Sequence, residues 1–202
     1  MIYLCVSQLK TNTYTMKKIL MVAIILIASV SVYSQKYVVT PTGLKDEANT
    51  EKSFVVINVE GKTAKQLFDN AVKYVNVTYK NPNIVIKGKI DGEYLSFVTS
   101  SDFYVGSGLS KNPFIMEYVT SMTFKDGKVK LEIIELEMTF KRNPSFKLYF
   151  TGGGINYFIY NKSGELKKED TKEYLEGYFN TQIQGIKDYL EEKATLAKKD
   201  DF

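Results

Sequence analysis

Apolar and polar positions alternate most clearly between Phe114 and Phe140. Phe114, Met116, Tyr118, Thr120, Met122 and Phe124 interleave with Ile115, Glu117, Val119, Ser121 and Thr123. Asp126-Gly127 supplies a two-residue turn, and Val129, Leu131 and Ile133 continue the same period. The pattern predicts an antiparallel hairpin with these three residues opposite Phe124, Met122 and Thr120. After Ile133 the apolar positions slip by one, to Ile134, Leu136, Met138 and Phe140, which is the signature of a β-bulge.

Other segments read in the same way. Ser53 to Glu60 is rich in β-branched residues and predicts a strand with Val55, Ile57 and Val59 on one face. A helix follows, opened by a capping box of Thr63 and Gln66. Ala64, Leu67, Phe68, Ala71, Val72, Val75 and Tyr79 form its apolar stripe, and Asn81-Pro82 stops it. Residues 84–90 predict a strand that turns at Asp91-Gly92 and returns over Tyr94 to Val98, with Ile86 opposite Phe97. Residues 100–113 read as a loop, with the strand before it reaching as far as Val105. Phe146–Phe150 and Ile155–Tyr160 flank Gly152-Gly153-Gly154 and predict a third hairpin. Asp170 with Glu173 reads as the cap of a last helix, whose stripe is Leu175, Tyr178, Phe179, Ile183, Ile186, Tyr189 and Leu190. Gly177 and Gly185 each cost that helix about 1 kcal/mol, so packing must hold it. Residues 36–52 show no clean period and read as an extended lead-in; 198–202 read as a frayed tail. The order of strand, helix, four strands, extra hairpin and helix implies an α+β fold, an antiparallel sheet with helices packed on one face. Its single domain would span 53–197, with a core over 53–140 and additions over 141–197.

The amino terminus changes the picture of charge. Met16-Lys17-Lys18, the apolar run Ile19 to Ala28 and the small residues ending in Val32-Tyr33-Ser34 have the three parts of a secretory signal peptide. We expect a true start at Met16 and cleavage between Ser34 and Gln35. The apolar run is about half the ~20 residues of a spanning helix, so no stable membrane anchor is expected after cleavage. Gln35 stands where a lipoprotein would have its cysteine. The whole chain of 202 residues carries a net charge of +4; removing the first 34 residues takes away three lysines and no acid, leaving 168 residues with 24 basic against 23 acidic side chains. A nearly neutral protein whose only arginine is Arg142 has no electrostatic footprint for nucleic acid.

The chain has no histidine, and its one cysteine, Cys5, lies in the leader. Ser-His-Asp, Cys-His and HExxH chemistry is therefore excluded, as are zinc sites built on His or Cys. Gly152-Gly153-Gly154 lacks the spacing of a phosphate cradle. Glu132, Glu135 and Glu137 alternate as a solvated sheet face would, and Glu117 with Asp102 lacks the clustered acids of a calcium loop. No catalytic residue, cofactor or metal ligand is assigned. The unusual feature is aromatic content, fifteen tyrosines and twelve phenylalanines. Tyr149, Phe150, Tyr157, Phe158 and Tyr160 occupy both faces of the third hairpin. Strands of that kind bury both faces or offer one to a partner, which makes Tyr149, Tyr157, Phe158 and Tyr160 the candidate partner-binding residues.

The helix running from Gly61-Lys-Thr-Ala-Lys-Gln-Leu-Phe-Asp-Asn-Ala to Tyr79-Lys80-Asn81-Pro82, the Gly88-Lys-Ile-Asp-Gly92 turn and the Phe124-Lys-Asp-Gly turn are similar to an exported bacterial domain-of-unknown-function family with a TBP-like fold. The resemblance covers about residues 53–140. It implies fold and export, carries no functional residue, and licenses no inference of DNA binding. Together these readings lead us to expect an exported, soluble binding or interaction module in the periplasm or outside the cell. Its partner would be a protein or small molecule of the cell envelope. The rivals are a hydrolase using carboxylates alone and an accessory subunit of an envelope assembly that adds by strand pairing.

Overall fold

The computed structural model describes residues 35–106 and 111–193. The expected leader, the tip of the loop at 107–110 and the tail beyond 193 lie outside the described residues. Within the described residues, nine strands and three helices follow in the order β1 (Tyr37–Thr40), β2 (Gly43–Asp46), β3 (Phe54–Asn58), α1 (Ala64–Thr78), α2 (Pro82–Val85), β4 (Ile86–Ile90), β5 (Tyr94–Val105), β6 (Asn112–Lys125), β7 (Lys128–Phe140), β8 (Leu148–Gly152), β9 (Tyr157–Asn161) and α3 (Glu169–Leu190). The fold is α+β.

Its centre is a five-stranded antiparallel sheet in the order β3-β7-β6-β5-β4. The β6–β7 hairpin has the register read from its alternation, with Val129, Leu131 and Ile133 opposite Phe124, Met122 and Thr120. The register shifts between Glu117 and Val119, where β7 carries one extra residue and Glu135 adopts a positive φ of 52°. The slipped period was therefore a bulge. A second irregularity lies between Ile86 and Gly88. A Cβ on Gly88 would come within 2.9 Å of Ser96 Oγ and 3.0 Å of the Tyr94 ring, so this position requires glycine.

Helices and additions cover one face of this sheet. Phe68 of α1 packs edge-on against Phe124, Phe179 of α3 against Tyr118, and Tyr174 of α3 stacks on Phe103. All three partners lie on the face that also holds the buried Leu95, Phe97, Met116, Met122 and Leu131. The opposite face carries the exposed Ser100, Asp102, Tyr104, Glu117, Thr123 and Lys130. It is thus a polar, open face.

The α1 capping box is formed: Thr63 Oγ1 accepts from Gln66 N–H while the Gln66 side chain accepts from Thr63 N–H. Leu67, Phe68, Ala71 and Val75 are buried, and Lys65, Asp69, Lys73 and Asn76 face water. Val72 is only half-buried, whereas Tyr74, outside the expected stripe, is buried. The reason is α3, which lies beside α1: Tyr74 meets Tyr189 edge-on at 5.4 Å and its hydroxyl donates to Gln182 Oε1.

Five expectations need correction. The lead-in is the β1–β2 hairpin, whose Tyr37, Val39 and Leu44 belong to the core. β5 reaches Val105 as read, but the loop stops short of 113: Asn112 and Pro113 already belong to β6, paired through Val105↔Asn112, because Pro113 opposite Tyr104 occupies a position that needs no N–H. Ile84 and Val85 belong to the helical turn α2 started by Pro82, and not to β4. The α3 N-cap is Lys168, without a side-chain bond; Asp170 Oδ1 instead accepts from the adjacent Thr171 N–H. Lastly, β8 and β9 pair in parallel, not as a hairpin. Parallel strands ordinarily need a dozen or more connecting residues. Here 153–156 suffice, because an extended return of roughly 17 Å spans a strand of roughly 13 Å. Gly154, at φ 80°, lets the chain double back. Lys147 then pins the return, donating to Asn156 Oδ1 and accepting from Tyr157 N–H.

Candidate functional site

The segment after β9 folds back along it. Lys167 and Lys168 N–H both donate to Ile159 O, Asn161 N–H donates to Glu165 O, and Tyr160 bridges to Leu166. Asn161 organises this return, its Oδ1 accepting from Ser163 and Glu165 N–H. Between β9 and the returning segment lies an open cleft of about 360 Å³ lined by Asn156, Tyr157, Phe158, Asn161, Lys167 and Lys168.

The four aromatic candidates divide here. Tyr157 and Phe158 line the cleft. Tyr157 is half-buried, its ring meeting Phe114 edge-on at 5.0 Å and Phe140 at 5.8 Å, while Lys168 Nζ stands 6.0 Å over its centre. Tyr149 is 46% exposed and the parallel register sets it beside Phe158. Tyr160 is elsewhere: it is buried and its hydroxyl donates to Val39 O at 2.8 Å, so it closes the core and offers no surface.

Charge at the cleft comes from two lysines that aromatic content alone did not single out. Lys167 is paired with Glu165 at 2.8 Å, and that bond lowers the Glu165 carboxyl below its ordinary range. Lys168 forms no ion pair with a described carboxylate and leans over Tyr157. An ammonium above an aromatic ring at the rim of an apolar cleft can meet a ligand that combines a flat face with negative charge. A sequence signal for it existed in the lysine pair Lys167-Lys168 directly before the last helix.

The remaining tyrosines are largely structural. Tyr37, Tyr74 and Tyr118 are buried, and burial pushes all three phenols far above the ordinary value of 10.0. Their hydroxyls are spent internally: Tyr37 donates to Leu131 O at 3.0 Å and Tyr118 bonds the Tyr178 hydroxyl at 3.0 Å.

The acidic residues do not converge on a cleft. Glu132 accepts from Ser53 and pairs with Lys130. Burial alone would raise its carboxyl, but the bonds from Lys130 and Ser53 outweigh it and hold the group below its ordinary range. Glu137 pairs with Lys147, Asp102 pairs with Lys141, and Glu135 is exposed on the bulge. Among the described residues no three acidic side chains are grouped so as to hold a metal ion, and no helix is long and apolar enough to cross a membrane.

No family model matches the chain, and no curated protein matches it. Among solved structures, the chain is similar to a DUF4468 family protein from Bacteroides ovatus ATCC 8483, solved at 1.49 Å resolution. The identity is 17% and the TM-score 0.49, over 72% of this chain and 90% of that one. The likeness is to a protein of a domain-of-unknown-function family, and at this identity and score it carries no inference about activity.

Proposed function

We propose that the chain is an exported binding module that takes a ring-bearing anion, such as an acidic oligosaccharide of the cell envelope, in the cleft beside β9. The observation that carries this reading is the joint lining of one cleft by Tyr157, Phe158 and Lys168, with Tyr149 exposed alongside. The aromatic faces would stack on the ligand ring and the ammonium would meet its carboxylate. A volume of about 360 Å³ suits a small ligand. Export rests on Lys17-Lys18, the apolar run and Val32-Tyr33-Ser34. A compact unit that begins at Gln35, where the proposed cut falls, is consistent with it. The TBP-like relationship rests on the motifs of 53–140 together with an observed order of strand, helix and four strands over β3 to β7.

The chain has no tryptophan, so its emission is tyrosine emission, and the contribution of Tyr157 is isolated by comparison with Tyr157→Phe. Titration with an oligogalacturonate, against an uncharged oligosaccharide of equal length, should give a saturable change for the acidic sugar only. Phe158→Ser and Lys168→Ala should each weaken it with the melting temperature unchanged. Equal response to both sugars, or none to either, would overturn the ligand class. Protein recovered from the periplasm or medium should begin at Gln35; an intact Met16 product held in the membrane would overturn export.

A further inference from the structure

We propose that the outer edge of β5, over Thr99 to Phe103, pairs antiparallel with the same edge of a second copy of this chain. β5 runs from Tyr94 to Val105, but β4 pairs with it only from Tyr94 to Phe97. Among the described residues no strand lies beside the remainder of that edge, and the Tyr79 side chain, just after α1, reaches it at Thr99. Which backbone groups point outward follows from the register. Phe124 N–H donates to Glu93 O at 2.9 Å, so Glu93 and every second residue after it bond to β6. Ser100 and Asp102 are out of that phase and turn their N–H and C=O to the free edge. Tyr104, in the same phase, also turns outward, and Pro113 stands opposite it at an unbonded pair where no N–H is needed.

Two other strand edges, those of β4 and β1, are defended. β4 is short, irregular at Ile86/Gly88 and carries Lys87 and Lys89. The outward groups of β1 are taken by side chains: Asn180 Oδ1 accepts from Tyr37 N–H, Asn180 Nδ2 donates to Tyr37 O, Glu176 accepts from Val39 N–H and Tyr160 donates to Val39 O. Thr99-Ser-Ser-Asp-Phe103 has no lysine, proline or bulge. Its single charge, Asp102, is already paired with Lys141 at 2.7 Å.

A second copy fits this edge because the sequence complements itself about Ser101. With a two-fold axis normal to the sheet, Ser101 faces Ser101, Ser100 faces Asp102, and Thr99 faces Phe103. Each like-phased pair keeps its side chains on the same side of the joined sheet, as pairing demands. Asp102 meets a hydroxyl and not the other Asp102. Thr99 and Phe103 lie on the helix-covered face, Thr99 bonded to the Tyr79 hydroxyl and Phe103 stacked under Tyr174, so at these positions the pairing is carried by the backbone. Ser100 and Asp102 of each copy exchange their outward N–H and C=O groups. The contact is short, so the dimer is concentration-dependent.

The test is sedimentation of the full chain carrying Cys5→Ser, which removes its only thiol. A monomer–dimer equilibrium is expected. Ser100→Pro removes an outward N–H while sparing the bonds to β6, and should raise the dissociation constant about tenfold or more. In the same background, Ser101→Cys should form a disulfide between copies under oxidised glutathione, because unbonded antiparallel pairs bring Cα atoms to about 4.5 Å. Ser145→Cys, on an exposed turn, should link far more slowly. A monomer at every concentration, a dimer indifferent to Ser100→Pro, or equal linking of the two cysteines would overturn the proposal. If Ser100→Pro fails to fold by circular dichroism, the cysteine pair decides alone.

Discussion

The edges of β1 and β5 are opposites within one chain. β1 is four residues long, and its outward backbone groups at Tyr37 and Val39 are bonded by Asn180, Glu176 and Tyr160. β5 is twelve residues long, and beyond Phe97 no strand among the described residues flanks its outer side. A closed edge fixes a terminus to the core; an open one leaves hydrogen-bonding capacity for another chain. Asn180 does at β1 what a neighbouring strand would do, accepting at 2.7 Å and donating at 3.0 Å to the same residue. The difference predicts that damage to the β1 edge unfolds the protein, while damage to the β5 edge changes only association.

Removing the anchor of the closed edge should have the largest effect. Tyr37 is 1% exposed and its hydroxyl reaches Leu131 O, tying β1 to the main sheet. Tyr37→Ala should cost about 3–5 kcal/mol in a denaturant melt, the range for truncating a buried aromatic. A loss below 1 kcal/mol would mean that β1 contributes little to the core.

Next comes the side chain that imitates a strand. Asn180→Ala strands both polar groups of Tyr37 and should cost about 1–3 kcal/mol. Asn180→Asp keeps the acceptor but sets a carboxylate against Tyr37 O. It should therefore be no better than alanine, although it is nearly isosteric. If Asp is as stable as Asn, the pairing is not two-sided.

High pH attacks the same tie without mutation. Burial raises the Tyr37, Tyr74 and Tyr118 phenols above 10.0, so the folded state keeps protons that the unfolded chain gives up. Their stabilising contribution is whole below pH 10 and is lost as pH rises through the shifted values. Spectrophotometric titration should show a delayed tyrosinate fraction that is released on unfolding, with the melting temperature falling only above pH 10. Release of all phenols together near 10 in the folded protein would contradict their burial.

The same contrast explains which parts of the fold were legible in the sequence. The β6–β7 register, its bulge and the Thr63 cap are local: a two-residue turn or a three-residue spacing writes each of them into neighbouring positions. The β1–β2 hairpin carried a local signal too, in Tyr37, Val39 and Leu44 around Pro41, but its place in the core depends on Asn180, 143 positions away. The β8–β9 pair shows the reverse fault. Its glycines and aromatics matched a hairpin, and only Lys147 gripping Asn156 and Tyr157 turned the strands parallel. For the candidate site, Tyr157 and Phe158 were visible as surplus aromatics. Tyr160 was visible for the same reason and is buried, since alternation does not say which aromatic a distant strand will cover. Lys168 became a candidate only once the fold brought it over Tyr157.

The smallest effect on stability is expected where association is most sensitive. Ser100 is exposed on the open face of β5, so Ser100→Lys should change the unfolding free energy by no more than about 0.5 kcal/mol. In the paired edges the two ammoniums would nevertheless flank the Ser101 axis on one face of the joined sheet, where two copies would bring two of them near each other. Lysine on an edge strand is the device β4 already uses at Lys87 and Lys89. The variant should therefore melt like the parent and sediment as a monomer at concentrations where the parent dimerises. Asp102 tempers the effect, because each lysine would face the partner's carboxylate; raising the salt concentration should then weaken any residual dimer of the variant and leave the parent unchanged. A variant dimer as strong as the parent's, insensitive to salt, would place the association surface away from β5 and leave its open edge without a partner.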